Sequence, residues 1–100
     1  MLKNKEYNSL EEFRIDIDKL DSKLVGLISD RTHLIRKVSS FKTSVKEVKA
    51  IDRINFIIQQ VRHQAIELGI SPNMISDLFN IMIDEMVETE IAEFRNTKTF

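Results

Sequence analysis

Cysteine is absent from the 100 residues, so neither a disulfide framework nor thiol chemistry is open to this chain. Tryptophan is absent too, and there are only two glycines and one proline. With so little turn chemistry, few elements and few loops are expected. No run alternates with period two for long, which argues against strands. No apolar run approaches the length of a membrane span, and the opening MLKNKEYN lacks the apolar core of a signal peptide, so a cytoplasmic protein is expected. Fifteen Lys and Arg against sixteen Asp and Glu leave a formal charge of −1, without the basic footprint of a general nucleic-acid binder. One domain spanning residues 1–100 is expected, near the small end of what buries a good core.

What is present is helical periodicity. Residues 9–42 carry Phe13, Ile17, Leu20, Leu24 and Leu27 at alternating spacings of four and three, a rhythm that resumes after one open slot through Leu34, Val38 and Phe41, nearly a coiled-coil seam. Ser9 followed by Glu12 is a capping box, and Glu11 and Glu12 suit the positive first turn. Fully helical, the stretch would span roughly 45–50 Å at 1.5 Å per residue. A compact chain of this size has a radius of gyration of about 13 Å. Either the helix breaks, near Gly26 or at Ser39 and Ser40, or its seam finds a second copy, the favoured reading. Residues 1–8 are polar and expected to fray. Residues 43–49, TSVKEVK, lack an apolar period and read as a loop. A second helix carries Ile51, Ile54, Ile58, Val61, Ala65 and Leu68 and stops at Gly69. Ser71 caps a third, with Pro72 at its first position and a stripe of Ile75, Phe79, Met82 and Met86 closed by Phe94. This third helix is expected to fray after Arg95. The fold class is all-α: a three-helix chain with one long N-terminal helix.

Charged residues fall on or beside these stripes. Arg31 occupies the apolar slot between Leu27 and Leu34, Glu90 follows Met86 by one turn, and Arg14, Lys42 and Arg53 flank the stripes. Each has a bland reading: Arg14 pairs with Asp18 at i+4, Lys42 favours a helix C-terminus, and Glu90 is a solvated last-turn residue with Thr89 beside it. Arg31 resists one, because a desolvated arginine needs a partner. Together, three or four cations around a low-dielectric interior suit a small dianion, whose carboxylates match arginine forks. His33 and His63 are isolated, so no metal site is expected. Neither a glycine-rich phosphate loop nor a serine–histidine motif occurs.

The ordered segments FRIDIDKLDSKLVGLISDR, SSFK, AIDR, ELGISP and IDEMVETE, running from about Leu10 to Phe94, resemble the all-helical chorismate mutase family (chorismate mutase type II). The most specific part is the R-x6-D-x9-R spacing of Arg14, Asp21 and Arg31, with Lys42 eleven residues on. The resemblance implies an intertwined homodimer with two shared active sites, a dicarboxylate substrate and no cofactor. It implies that Arg14 reaches the other subunit's site, while Arg31, Lys42, Arg53 and Glu90 line one chain's own. Arg14 and Arg31 would hold the substrate carboxylates, and Lys42 a carboxylate and the ether oxygen. Glu90 fills the slot where many members carry a glutamine that donates to that oxygen. To donate, Glu90 must carry a proton, so activity should rise toward acid pH.

This chain departs from the mutase pattern at three positions. Ile54 stands where mutases place a glutamate for the ring hydroxyl, Ala50 where an aspartate is common, and Met86 where a serine is often found. The apolar Ile54 and the SFK-x-S segment resemble the isochorismate pyruvate lyase branch, which makes salicylate and pyruvate for siderophores. The resemblance therefore leans to that lyase, with side mutase activity. The alternatives are chorismate mutase, forming prephenate, and a mutase of amino-substituted chorismates. The non-enzymatic alternative is a helical dimerisation module, whose seam charges would be solvated. Either pericyclic reaction needs no nucleophile or general base, only a held conformer and well-placed cations. Residues 43–49 would then close over the site.

Overall fold

A computed structural model describes residues 5–41, 44 and 49–98, apart from the side chains of residues 94 and 96–98. The chain is all-α, with three helices: α1 (Leu10–Ser39), α2 (Ile51–Leu68) and α3 (Pro72–Lys98). It divides into two compact units, Met1–Leu34 and Ile35–Phe100.

In the first unit, Ser9 caps α1: the Glu12 N–H donates to Ser9 Oγ at 3.2 Å. The Glu12 carboxylate accepts from the Asn8 N–H at 2.6 Å, one residue earlier than the usual capping box. The stripe is helical as its period requires, yet Phe13, Ile17, Leu20, Leu24 and Leu27 are all exposed, and the one buried residue of α1 is Asp16. Residues 5–8, expected to fray, instead lie back along the first turns. The Tyr7 ring stacks on Phe13, centroids 3.9 Å apart, and its hydroxyl donates to Asp16 Oδ2 at 2.7 Å. Lys5 Nζ reaches the same oxygen at 2.6 Å. A ring with a polar tip thus covers apolar surface and satisfies a buried acceptor at once.

α1 runs through Gly26 unbroken and stops at Ser39, short of Lys42. The serines supply the reason. Ser39 Oγ donates to the Arg36 carbonyl at 2.6 Å and Ser40 Oγ to that of Lys37 at 2.8 Å, taking acceptors the next turn would need. The Ser40 and Phe41 N–H groups bond carbonyls only three residues back, at 3.4 and 3.0 Å, tightening the end.

The second unit holds the hairpin of α2 and α3, which pack on each other. α2 starts after Ala50, which sits in the left-handed region (φ 33°) without a side-chain cap, a costly conformation for a non-glycine residue. It ends at Gly69 (φ 74°) in a Schellman motif: Gly69 N–H bonds the Ile66 carbonyl at 3.1 Å and Ile70 N–H that of Ala65 at 3.0 Å. Ser71 Oγ accepts from the Met74 N–H at 3.1 Å, and Pro72 opens α3. Arg62 staples the turn, donating to the Pro72 carbonyl (3.2 Å), Asn73 Oδ1 (3.0 Å) and Ser76 Oγ (2.8 Å).

The hairpin core centres on Ala65, 2% exposed, with Ile83 and Ile91. Ile54, Ile58 and Val61 are half-buried, while Ile51 and Leu68 at the ends of the expected stripe are exposed. On α3 the expected Ile75, Phe79, Met82 and Met86 are half-buried, and the deepest positions are Ser76, Ile83, Glu90 and Ile91. The buried face is rotated from the expected one because α3 is apolar over more than one stripe, and its neighbour selects the side. α3 continues past Arg95 to Lys98, with no glycine or proline to end it.

Candidate active site

The predicted charged residues fall in both units. Arg14 and Arg31 are carried by α1 in the first. Arg14 is exposed, and its expected pairing with Asp18 does not form among the described residues; a solvated i,i+4 pair gains little against side-chain entropy. Arg31, on the stripe, is half-buried. Lys42 and most of the 43–49 loop lie outside the described residues.

The hairpin of the second unit carries the rest. Ile54 on α2 and Met86 on α3 stand at about equal rise, ~22 Å, from the turn at Gly69 to Ser71. The antiparallel hairpin therefore sets Arg53 and Ile54 level with Met86 and Val87, with Glu90 about one helical turn further from the connecting turn. Arg53 is exposed, its guanidinium 5.4 Å from the Phe56 ring centroid. That stacking orients the fork without neutralising it. Ile54 and Met86 are half-buried.

Glu90 is 3% exposed, which overturns its reading as a solvated last-turn residue. Thr89 is half-buried, and its hydroxyl bonds back to the Glu85 carbonyl at 2.9 Å instead of sharing a polar notch with Glu90. A carboxyl removed from water in a hairpin core is costly unless it serves a partner. Arg53, Ile54, Met86 and Glu90 are thus all carried by this unit: an exposed cation, two half-buried apolar side chains and a buried carboxyl.

The Lys5–Tyr7–Asp16 cluster escaped the sequence reading. Its signals were faint: one aromatic in a polar segment, and an aspartate flanking the stripe one turn after Phe13. The Lys5 hydrogen bond, then that of Tyr7, holds the Asp16 carboxyl below the ordinary carboxylate range. The same contacts with Asp16 raise both Lys5 and Tyr7. Among the described residues, no His, Cys, Asp and Glu groups converge as a metal site would require, and no helix is long and apolar enough to cross a membrane.

The family model for chorismate mutase type II matches residues 13–91, a span from Phe13 through Glu90 to Ile91. The chain belongs to the chorismate mutase type II family. Two relatives are similar to it, both named bifunctional chorismate mutase/prephenate dehydratase. That of Buchnera aphidicola subsp. Acyrthosiphon pisum (strain APS) is 29% identical over 84 residues, covering 83% of this chain. That of Buchnera aphidicola subsp. Schizaphis graminum (strain Sg) is 25% identical over the same share. The chain spans 22% of the length of each relative, so the similarity extends to about a fifth of those bifunctional proteins.

Proposed function

We propose that this domain is a chorismate mutase, rearranging chorismate to prephenate. The observation that carries this reading is the similarity, over 83% of the chain, to relatives named for that activity. It favours the mutase over the lyase to which the sequence leaned. The reaction is pericyclic, so the protein's task is to hold a compact conformer and stabilise charge at the breaking ether bond. In this reading Arg14 and Arg31 hold the two carboxylates, and Lys42 and Glu90 act at the ether oxygen. Arg53 adds positive charge, and Ile54 and Met86 pack on the ring. The exposed α1 stripe supports a second copy as its cover, with Arg14 completing the other copy's site. Sedimentation equilibrium is expected to give twice the chain mass; an active monomer overturns the shared site.

One observation favours the lyase as a second reading: Ile54, directly after Arg53, cannot accept a hydrogen bond from a ring hydroxyl. Supplying the purified protein with chorismate and with isochorismate, separately, distinguishes the two. Prephenate from chorismate at the higher kcat/KM is expected. Salicylate and pyruvate from isochorismate at the higher kcat/KM would make the domain a lyase.

A further inference from the structure

The Lys5–Tyr7–Asp16 cluster has no part in the pericyclic site, yet its contacts bracket an arginine assigned to it. Residues 5–9 touch α1 at three positions: Glu12 through the Ser9 and Asn8 caps, Phe13 through the Tyr7 ring, and Asp16 through Lys5 and Tyr7. Arg14 lies between the second and third. Within one chain, Leu10, Ile15 and Ile17 are exposed, and Phe13 is covered on one side by the Tyr7 ring, so the intrachain support of this first stretch of α1 comes from residues 5–9. Its first N–H groups have no helical partners and depend on that segment. Asp16, 6% exposed, is buried under donors that come entirely from the N-terminal segment.

The geometry points to the N-terminal segment as a clasp that fixes the trajectory of Arg14, with Tyr7 and Asp16 as positioning residues for substrate binding. This rests on the reading of Arg14 as a carboxylate-binding arginine. Tyr7 joins the two anchor points: its ring rests on Phe13 and its hydroxyl meets Asp16, on the next turn. Lys5 neutralises the carboxylate and lies 5.1 Å from the Tyr7 ring centroid, closing the clasp. Arg14 itself makes no clasp contact, so its guanidinium stays available while its backbone is held from both sides. Small misplacements of a substrate-holding group cost rate steeply, so a loosened first turn should register in turnover.

Steady-state kinetics on chorismate test this with Tyr7→Phe, Asp16→Ala, Arg14→Ala and the Asp16→Ala/Arg14→Ala double variant, alongside amide exchange of residues 12–16. Tyr7→Phe keeps the ring stack and removes only the hydroxyl, so it remains informative if Asp16→Ala folds poorly. Each clasp variant is expected to raise KM more than it lowers kcat, to reduce kcat/KM about tenfold, and to speed amide exchange. In the Arg14→Ala background Asp16→Ala should cost nothing further. Unchanged kcat/KM in both clasp variants, or the same fractional loss with Arg14 absent, overturns the positioning role while leaving the mutase reading intact. A wild type inactive on both chorismate and isochorismate overturns the enzymatic reading and the clasp's catalytic role together.

Discussion

Gly26 lies in the interior of a 30-residue helix, and among the described residues a Cβ added there meets no heavy atom within 4 Å beyond its chain neighbours and the adjoining helix backbone. Two residues after Leu24, it faces away from the apolar stripe, so an added methyl group would not enter a seam between copies. Glycine in a helix interior costs about 0.8–1.0 kcal/mol relative to alanine, through backbone freedom in the unfolded chain and exposed peptide groups. The open space adds no steric cost, so Gly26→Ala should stabilise each chain by about 1 kcal/mol. For a domain of this size that corresponds to a Tm increase of about 4–8 °C. Urea denaturation and thermal melting by circular dichroism measure it, at one fixed protein concentration because association shifts apparent stability. The urea midpoint should rise with unchanged slope, and kcat/KM should stay as in the wild type. A stability equal to or below the wild type would refute the reasoning: another backbone would then have to close on Gly26 in the assembled protein.

Arg31→Ala is expected to lower kcat/KM on chorismate by about a hundred- to a thousandfold, typical of losing one charge-assisted contact in the transition state, with a much smaller change in the urea midpoint. Ile83→Ala, in the hairpin core, should cost about 2–4 kcal/mol of unfolding free energy. The Asp16 carboxyl lies below its ordinary range in the folded chain, so its contribution is complete above the unfolded value and lost as pH falls through the folded one. Lys5 and Tyr7 are raised, so their contributions are complete below their ordinary ranges and lost as pH rises through the folded values. Urea midpoints should therefore decline at both pH extremes, and Asp16→Ala should flatten the acid limb. Glu90→Gln keeps the side chain's size and supplies an amide donor, so kcat/KM on chorismate at neutral pH should rise; an unchanged or lower value would remove Glu90 from the ether oxygen.

Local chemistry made much of the fold legible. The four-and-three spacing from Phe13 to Val38 specifies a helix whatever surrounds it, and Ser9, Gly69, Ser71 and Pro72 mark boundaries through bonds to atoms a few residues away. Arg14, Arg31, Arg53 and Glu90 stood out because charge interrupted or flanked an apolar period. Other features depend on groups brought together by folding. The Asp16 clasp joins residues nine and eleven positions apart across a chain reversal, and no helical period spans one. Glu90 is carried by a helix apolar over more than one stripe, so its spacing allowed either solvent or core. The packing of α2 on α3 selected the core: Ala65, the smallest side chain on the α2 stripe, is the most buried residue of the hairpin, and the face of α3 that carries Ser76, Ile83 and Glu90 is the one turned away from water.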